Sequence, residues 1–321
     1  MSSAPSRASV LAVLALLAAL AALPLVAPPA VQTWSFLVLL YGALAQSWNL
    51  VGGFAGQVNL GHAAFFGLGA LVTRFLWLAG HPLPAALAAG IATAAAAALL
   101  VGPPSLRLRG PYFAIGTLAV AEILRITTAS LLPEVSPLPA VALATYAVRP
   151  RYLLALALVV AVAGAARWLS RSRFGYALAA VREDEEVAEA VGVDAFRAKL
   201  AALVLSSAGA GAAGGLFGYY HLSFYPQFVF SPVWTFDALL ITFLGGVGTV
   251  WGPLVGAAFF LLLREALALQ LLELHLLLFG VIFVLVVLLF PGGFMEAVGQ
   301  LHRRRGRKAW DTVESATTLP R

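Results

Sequence analysis

Three polar side chains, Gln57, Asn59 and His62, stand among glycines in the stretch GFAGQVNLGHAAFFGLGA, residues 53–70. Their amide and imidazole groups can bind a polar solute or hydrogen-bond to neighbouring helices. Glycine permits irregular backbone, which is tolerated at membrane depth only where protein buries it or where it lines a water-filled cavity. His62 has no second His, Cys or carboxylate at ligand spacing beside it, so no metal site is predicted. The stretch indicates either helix packing or a solute pathway.

A second glycine-rich break, FLGGVGTVWGPLVGAAFF at residues 243–260, has a similar character. Two such breaks in corresponding halves of an apolar chain indicate the substrate path of a transporter. The residues predicted to line that path are Gln57, Asn59, His62, Gly245, Gly246 and Gly248. For Gly67, Gly69 and the run AGAGAAGGLFG at residues 208–218, the small side chains favour close helix packing instead.

Ionisable side chains inside the apolar segments are few, and two of them lie one helical turn apart. Glu122 and Arg125 can neutralise each other on one helix face, so they are predicted to form a structural ion pair. Asp237 is a lone carboxylate near the start of a later segment, where it could contact a partner or lie at a helix N-terminus. Cysteine is absent, which excludes disulfides and thiolate metal sites.

The elements that must position these side chains are apolar helices. The chain of 321 residues is 61% hydrophobic and 11% charged, and its mean hydropathy of +0.93 is that of an integral membrane protein. We predict an all-α polytopic membrane helical bundle of about ten transmembrane or re-entrant segments, since a span needs about 20 apolar residues. The predicted segments are residues 9–28, 33–51, 61–80, 84–101, 111–131, 152–168, 196–219, 234–250, 252–265 and 276–290. Segment 252–265 is short and adjoins residues 266–275, which suit an amphipathic helix at the interface, so a broken or re-entrant element is predicted here.

The distribution of Lys and Arg predicts the orientation. With ten spans, fifteen basic residues fall on the side that carries both termini and two, Arg149 and Arg151, fall on the other. Because Lys and Arg accumulate in cytoplasmic loops, both termini are predicted to be cytoplasmic. The basic run HRRRGRK in the tail is therefore interpreted as a cytoplasmic anchor and not as a nucleic-acid site. The first apolar segment is too long for a signal peptide and is interpreted as a retained span.

The longest polar stretch between spans, residues 170–199, is predicted to contain one short amphipathic helix. Its acidic face would repel an anionic lipid leaflet, while its apolar positions return at helical spacing. Gly192 can end that helix and Asp194 can start the next. An apolar stripe that lipid does not cover predicts docking into a protein groove. The acidic residues are Glu183, Asp184, Glu185, Glu186 and Glu189, and the apolar ones are Val181, Val187, Ala188 and Val191.

Four blocks of sequence, taken together, resemble one transporter family in order and spacing over residues 38–291. The blocks are WNLVGGFAGQVNLGHAAFFGLGAL, LRLRGPYFAIGTLAVAEILR, FGYALAAVREDEEVAEAVGVDAFRAKL and LGGVGTVWGPLVGAAFF. They are similar to the LivM-like permease subunits of branched-chain amino acid ABC importers of the cell inner membrane. The resemblance implies a transmembrane permease domain at residues 1–300, with a cytoplasmic coupling loop at residues 169–196, and a basic cytoplasmic tail at residues 301–321.

The resemblance also implies partners and a coupling site. The partners are a second permease subunit of a different, LivH-like kind, two cytoplasmic ATPase subunits that hold ATP and Mg, and an extracytoplasmic substrate-binding protein. The residues implied to form the coupling helix are Arg182, Glu183, Asp184, Glu185, Val187, Ala188, Ala190 and Gly192. Other ABC importers carry an EAA signature in this helix. Here it is shortened to Glu189, Ala190, Val191 and Gly192, which is a departure from the pattern.

The chain has no GxxxxGK[ST] phosphate loop, so it is expected to be no enzyme, to bind no cofactor itself and to leave ATP hydrolysis to its partners. One alternative is an autonomous ion-coupled carrier, which would rely on Glu122, Arg125 and Asp237 as buried ionisable groups. A membrane-bound enzyme is disfavoured, because the spans lack clustered His, Cys or carboxylates. The substrate is expected to be a branched-chain amino acid, with urea, amides or other amino acids as alternatives.

Overall fold

A computed structural model describes residues 7–132, 136–144 and 146–270, together with the isolated residues 280, 281, 284, 288, 293 and 294. In this part of the chain six helices are long and apolar enough to cross a membrane, and two shorter apolar helices accompany them. The helices are α1 (Arg7–Val26), α2 (Pro29–Gly52), α3 (His62–Leu78), α4 (Leu83–Ser105), α5 (Pro111–Leu131), α6 (Ala140–Ala144), α7 (Val148–Leu169), α8 (Arg173–Glu183), α9 (Glu185–Ala190), α10 (Ala195–Tyr220), α11 (Pro226–Val229), α12 (Val233–Gly245) and α13 (Gly252–Gln270). Two-residue strands β1 (Ser136–Pro137) and β2 (Ser223–Phe224) pair antiparallel.

Proline and glycine set several of these boundaries. Pro29, Pro111 and Pro226 each open a helix, since proline lacks the N–H that the first turn leaves unpaired. Gly246, with φ +126°, follows the last residue of α12 in a conformation that other residues resist. Three helices therefore begin at prolines, and α12 ends at a glycine.

Nine of the ten predicted apolar segments coincide with helices of the described residues: α1–α5, α7, α10, α12 and α13. The tenth segment, residues 276–290, and the basic tail, residues 301–321, lie outside the described stretches. The predicted total of about ten membrane segments is not confirmed, because only six of the described helices satisfy the length and hydropathy of a span. Helix α13 is continuous from Gly252 to Gln270 through the strong helix formers ALALQ, so the described part of the predicted broken or re-entrant element is one helix, and residues 271–275 lie outside the described residues.

Helices α2 and α10 form the centre of the bundle. Helix α10 packs against α2, α3, α4 and α7, while α2 packs against α7, α12 and α13. Aromatic rings fill the space between them: the Trp234 ring stacks on that of Phe66 with centroids 4.4 Å apart and on that of Tyr41 at 5.5 Å. These contacts place the first turns of α3 and α12 inside the core.

The connecting segments collect at two opposite ends of the bundle. The α8–α9 end carries residues 53–57, 106–110, 170–194 and 246–251, and Arg182 and Arg109 of this end contact Gly53 and Glu186. The α11 end carries residues 79–82, 132, 136–144, 146–147 and 221–232. There β1 pairs with β2, and the Tyr146 hydroxyl donates to the carbonyl of Tyr220. Successive connecting segments thus lie at alternate ends of the bundle, as expected from the order of the predicted spans.

Candidate coupling and pathway site

The polar segment between α7 and α10 forms two helices, so the prediction of a single helix over residues 182–192 is wrong. Asp184 lies between α8 and α9 with an extended backbone, φ −157°. Its Oδ1 accepts hydrogen bonds from the backbone N–H groups of Glu186 and Val187, both at 3.0 Å. Asp184 is therefore the N-cap of α9, where a carboxylate stabilises the unpaired N–H groups. Gly192 follows α9 with φ +92°.

The predicted apolar stripe of this segment is divided between two surfaces. Val181 and Ala188 are buried in a small cluster with Ala195 at the start of α10. Val187 and Val191 remain exposed, with 60% and 75% of their surface accessible. The buried side chains, Val181 and Ala188, pack α8 and α9 against α10. The exposed side chains, Val187 and Val191, are accessible to a partner.

The acidic residues of the segment also divide. Glu185 contacts the ammonium group of Lys199 at 2.5 Å, and Lys199 is almost fully buried at the start of α10. Glu186 lies 3.5 Å from the guanidinium of Arg109, with both side chains largely exposed. Glu185 therefore anchors α9 to its own chain and does not point to a partner. The exposed members of the predicted coupling set are Arg182, Glu183, Asp184, Val187, Ala190 and Gly192.

Arg182 joins this segment to both glycine-rich breaks. Its Nη1 donates to the carbonyl of Gly53 at 3.0 Å. A Cβ on Gly56, which has φ +69°, would lie 2.5 Å from the Cγ of Arg182, so only glycine lets the loop approach this closely. A Cβ on Gly248 would lie 3.4 Å from the same Nη1. Asn49 of α2 binds the second break directly: its Oδ1 accepts from the N–H of Gly248 and its Nδ2 donates to the carbonyl of Thr249, both at 2.8 Å. We call this meeting point of Arg182, Asn49 and the two breaks the junction.

From this junction residues 53–61 run back into the bundle. The N–H of Leu60 donates to Thr117 Oγ1 of α5 at 3.2 Å, and the N–H of Ala63 donates to Thr235 Oγ1 near the start of α12 at 2.8 Å. Helix α3 therefore begins within the bundle, and side-chain hydroxyls satisfy the irregular backbone before it, as membrane depth requires.

Of the three polar residues predicted for the pathway, Asn59 and His62 are completely buried and bond to neighbouring helices. The carbonyl of Asn59 accepts from Trp48 Nε1 at 2.8 Å, and the Nε2 of His62 lies 3.1 Å from the Oγ of Ser47. Gln57 is partly exposed near the α8–α9 end. In this conformation the two buried residues hold α2 and α3 together, so Gln57 alone of the three reaches a surface.

The second predicted pathway group, Gly245, Gly246 and Gly248, forms a tight turn between α12 and α13. A Cβ on Gly245 would collide with the carbonyl of Gly252, so the two helix ends touch through their backbones. Thr249 Oγ1 donates to the Gly246 carbonyl at 2.8 Å and accepts from the N–H of Gly252 at 3.0 Å. The turn lies beside Arg182 and closes the α8–α9 end.

Glu122 and Arg125 do pair, as their spacing predicts. Arg125 Nε donates to Glu122 Oε2 at 2.8 Å and Nη2 donates to Oε1, and each side chain keeps 38% of its surface exposed. Asp237 lies 3.7 Å from the guanidinium of Arg264, which also donates to the Tyr41 hydroxyl. The three groups of the carrier hypothesis are thus each opposed by a charge of the other sign.

At the α11 end a cavity of about 570 Å³ opens between α5, the end of α10 and α11. Burial and, to a lesser extent, the neighbouring Arg74 guanidinium together lower the pKa of His221 beside this cavity to about 4. The imidazole is therefore neutral at physiological pH. The cavity is lined by Arg125, Phe217, His221, Ser223, Tyr225, Gln227, Phe228 and Ser231. Sequence reasoning missed it, because its walls come from segments about 90 residues apart.

Two buried arginines at this end were also missed. Arg74 Nη1 donates to the carbonyls of Gly218 and His221, at 3.1 and 2.8 Å. Arg151 donates to the carbonyl of Tyr219 and lies over the rings of Tyr146 and Tyr219 at 3.9 and 4.0 Å. Both bind the carboxyl end of α10. The available signal was that Arg74 lies inside the predicted apolar segment 61–80 and that Arg151 directly precedes the segment 152–168. No group of three or more His, Cys, Asp or Glu suited to a metal occurs among the described residues.

Comparison with known proteins agrees with this architecture. Residues 30–287 match the family model described as branched-chain amino acid transport system / permease component. The chain is 31% identical to the high-affinity branched-chain amino acid transport system permease protein LivM of Escherichia coli K12 and 30% identical to that of Salmonella typhimurium. Each alignment covers 81% of this chain and 68% of the relative. No solved structure matches. The helical membrane architecture, the family model and both relatives together show that the chain belongs to the family of branched-chain amino acid transport permease components, which are not enzymes.

Proposed function

We propose that this chain is one of two permease subunits of an ATP-driven ABC importer that carries branched-chain amino acids across the inner membrane. The α8–α9 end faces the cytoplasm in this proposal, and so do both termini. The names of the two relatives support the substrate class, and the excess of Lys and Arg at the α8–α9 end supports the orientation. Urea, amides and other amino acids remain the alternative substrates.

The proposed assembly contains a second, LivH-like permease, two cytoplasmic ATPase subunits and an extracytoplasmic binding protein at the α11 end. ATP and Mg bind to the ATPase subunits, and this chain holds no cofactor. The sequence supports that division of labour, because it has no phosphate-binding loop.

The observation that carries the proposal is the geometry of α9. Its exposed Val187 and Val191 face away from the bundle, while buried Ala188 and the Glu185–Lys199 contact hold the helix in place. A short helix that is fixed on one side and apolar on the other fits a groove on a partner. A movement of α9 reaches α8 through Asp184 and then reaches both glycine breaks through Arg182. The ATPase cycle is thereby coupled to α2, α3, α12 and α13.

The test is ATP-dependent uptake of labelled leucine by proteoliposomes that contain the whole complex, purified through a tag on this chain. Val187→Asp leaves the fold intact, because the side chain is exposed, and lowers both ATPase association and uptake by about tenfold or more. Val233→Asp is the matched control for ATPase association, since Val233 is also exposed but lies at the opposite, α11 end. Unchanged uptake and association in Val187→Asp would exclude α9 as the docking helix. Uptake by the chain alone, driven by an ion gradient without ATP, would establish a carrier instead.

A further inference from the structure

The cavity at the α11 end contains a guanidinium group with unused donors. Arg125 has five N–H donors, of which Glu122 takes those of Nε and one of Nη2. No described residue accepts a hydrogen bond from Arg125 Nη1, and Arg125 lines the cavity. A guanidinium fork binds a carboxylate through two parallel hydrogen bonds, so these donors suit a carboxylate ligand.

The position of the ion pair indicates that the space beside it is not filled by lipid. Glu122 lies near the middle of α5, which is the least buried of the six candidate spans, and the pair is partly exposed. Charged side chains at mid-span face protein or a water-filled cavity and not hydrocarbon. The cavity volume of about 570 Å³ is within the range of small-molecule sites.

The other walls differ in chemistry from the ion pair. Phe217 and Phe228 present aromatic rings, which are held in place by Trp234 at centroid distances of 4.7 and 5.7 Å. His221 and Gln227 contribute polar groups that carry no charge at neutral pH. The cavity lining thus combines a cation, uncharged polar groups and an apolar wall, while the Glu122 carboxylate pairs with Arg125 from outside the lining.

We propose that this cavity binds a small zwitterionic amino acid with an apolar side chain during its passage through the permease. Arg125 Nη1 binds the α-carboxylate, the uncharged polar groups of His221 and Gln227 bind the α-ammonium group, and the rings of Phe217 and Phe228 contact the side chain. This inference rests on the proposed function and adds to it a recognition site inside the permease. Selection by the permease then follows selection by the binding protein.

The test is direct binding to the whole transporter complex in lipid nanodiscs, without the binding protein. The probes are leucine, leucinamide, which lacks the carboxylate, and 4-methylpentanoate, which lacks the ammonium group. Leucine at millimolar concentration raises the thermal midpoint of the wild-type complex, and the two analogues do not. Arg125→Gln weakens leucine binding by about tenfold or more, as expected when a charge-assisted hydrogen-bond pair is lost. Arg149→Gln, an exposed arginine at the same end, leaves it unchanged.

A second variant keeps the test decisive where Arg125→Gln does not fold. Phe228→Ala removes part of the apolar wall, so it weakens binding of leucine but not of alanine. ATP-dependent uptake by the same wild-type preparation reports separately on the proposed function. If uptake occurs and leucine gives no shift, or if both variants bind leucine as the wild type does, the site assignment is overturned while the transport function stands. If uptake is absent with ATP and the binding protein, the proposed function itself fails.

Discussion

At the scale of single residues, arginine side chains tie separate parts of the backbone together at both ends of the bundle. Arg182 binds the carbonyl of Gly53 after α2, and Arg74 and Arg151 bind carbonyls at the end of α10. The last carbonyls of a helix lack intrahelical partners and carry partial negative charge. A guanidinium group satisfies several of them at once, so its loss leaves polar groups unpaired.

The first prediction concerns Arg182. Arg182→Ala removes the hydrogen bond to Gly53, so α8 is no longer held to the first glycine-rich break. We expect leucine uptake per ATP hydrolysed to fall by about tenfold, the factor that corresponds to about 1.5 kcal/mol for a hydrogen bond to a charged group. The measurement is the ratio of uptake to phosphate release in proteoliposomes.

Arg173→Ala is the matched control for this variant. Arg173 is an exposed arginine of the same helix α8, and its side chain has no hydrogen bond or ion pair among the described residues. Its removal leaves the ratio unchanged. A normal ratio in Arg182→Ala would show that movement of α8 reaches the bundle by another route.

The second prediction concerns His221 and pH. Burial, with help from Arg74, lowers the pKa of His221 from 6.5 to about 4 in the folded protein, and Arg125 lines the same cavity. Below pH 6.5 the unfolded chain therefore binds a proton that the folded chain does not, so stability falls as the pH drops from 6.5 to 4. The loss reaches at most about 3 kcal/mol.

Thermal midpoints of the wild type and His221→Gln, measured in detergent across this pH range, provide the check. Glutamine keeps polar groups at the position but cannot titrate. The pH dependence of the variant is therefore shallower than that of the wild type between pH 6.5 and 4. If the thermal midpoints of the two proteins changed with pH in the same way, His221 would bind its proton equally well in the folded and unfolded chain, and the prediction would be wrong.

Residue chemistry could be predicted from the sequence only where the partners are close along the chain. Glu122 and Arg125 are three residues apart, so their ion pair follows from helical spacing. Lys199 and Glu185 are 14 residues apart and belong to different helices. Their contact depends on how α9 folds back onto α10, and one-dimensional patterns do not contain that information.

At the scale of elements, the close crossing of α3 and α10 determines the architecture of the core. Gly69 lies against the backbone of Gly211, and Gly214 lies against the carbonyl of Phe66. Because neither position has a side chain, the two helix backbones touch. Van der Waals packing of this kind drives helix association where lipid removes the hydrophobic contribution.

The third prediction tests this crossing. A Cβ on Gly214 would collide with the Phe66 carbonyl, so Gly214→Ala forces α3 and α10 apart. We expect a loss of about 1 to 3 kcal/mol, the usual cost of overpacking, seen as a lower thermal midpoint in detergent. Gly164→Ala on α7 is the control, because a Cβ there meets no atom within 4 Å.

The control is expected to match the wild type or to exceed it slightly. Alanine is a better helix former than glycine by about 1 kcal/mol. A midpoint for Gly214→Ala equal to that of Gly164→Ala would contradict the close crossing.

Hydropathy predicted the existence of most helices, because a run of apolar residues between Pro and Gly has few alternatives in a membrane. It did not predict where a helix divides within polar sequence. In α8 and α9 the helical periodicity continues past residue 184, yet the Asp184 side chain competes for the backbone N–H groups and ends the first helix. Hydropathy also predicted the end of α2 to within one residue, but it did not show that residues 53–61 turn back into the bundle.

At the scale of the whole molecule, the two ends of the bundle are connected through one irregular segment. The segment of residues 53–61 begins at Gly53, whose carbonyl accepts a hydrogen bond from Arg182. Just after the segment ends, the N–H of Ala63 donates to Thr235 near the start of α12. The same Arg182 lies beside Gly248 at the far end of α12. In the proposed mechanism a displacement of α8 acts on α12 at both of its ends, and the aromatic contacts of Trp234 extend the connection to the cavity at the α11 end.

The last prediction concerns the orientation on which this mechanism depends. The chain has no cysteine, so single cysteines can be labelled without background. His81→Cys lies in the exposed segment between α3 and α4 at the α11 end, and Glu189→Cys lies on exposed α9. We expect a membrane-impermeant maleimide to label His81→Cys in intact cells and Glu189→Cys only after the membrane is opened, because the Lys and Arg excess predicts a cytoplasmic α8–α9 end. Labelling of Glu189→Cys in intact cells would put α9 beyond the reach of any cytoplasmic ATPase and would rule out the coupling mechanism.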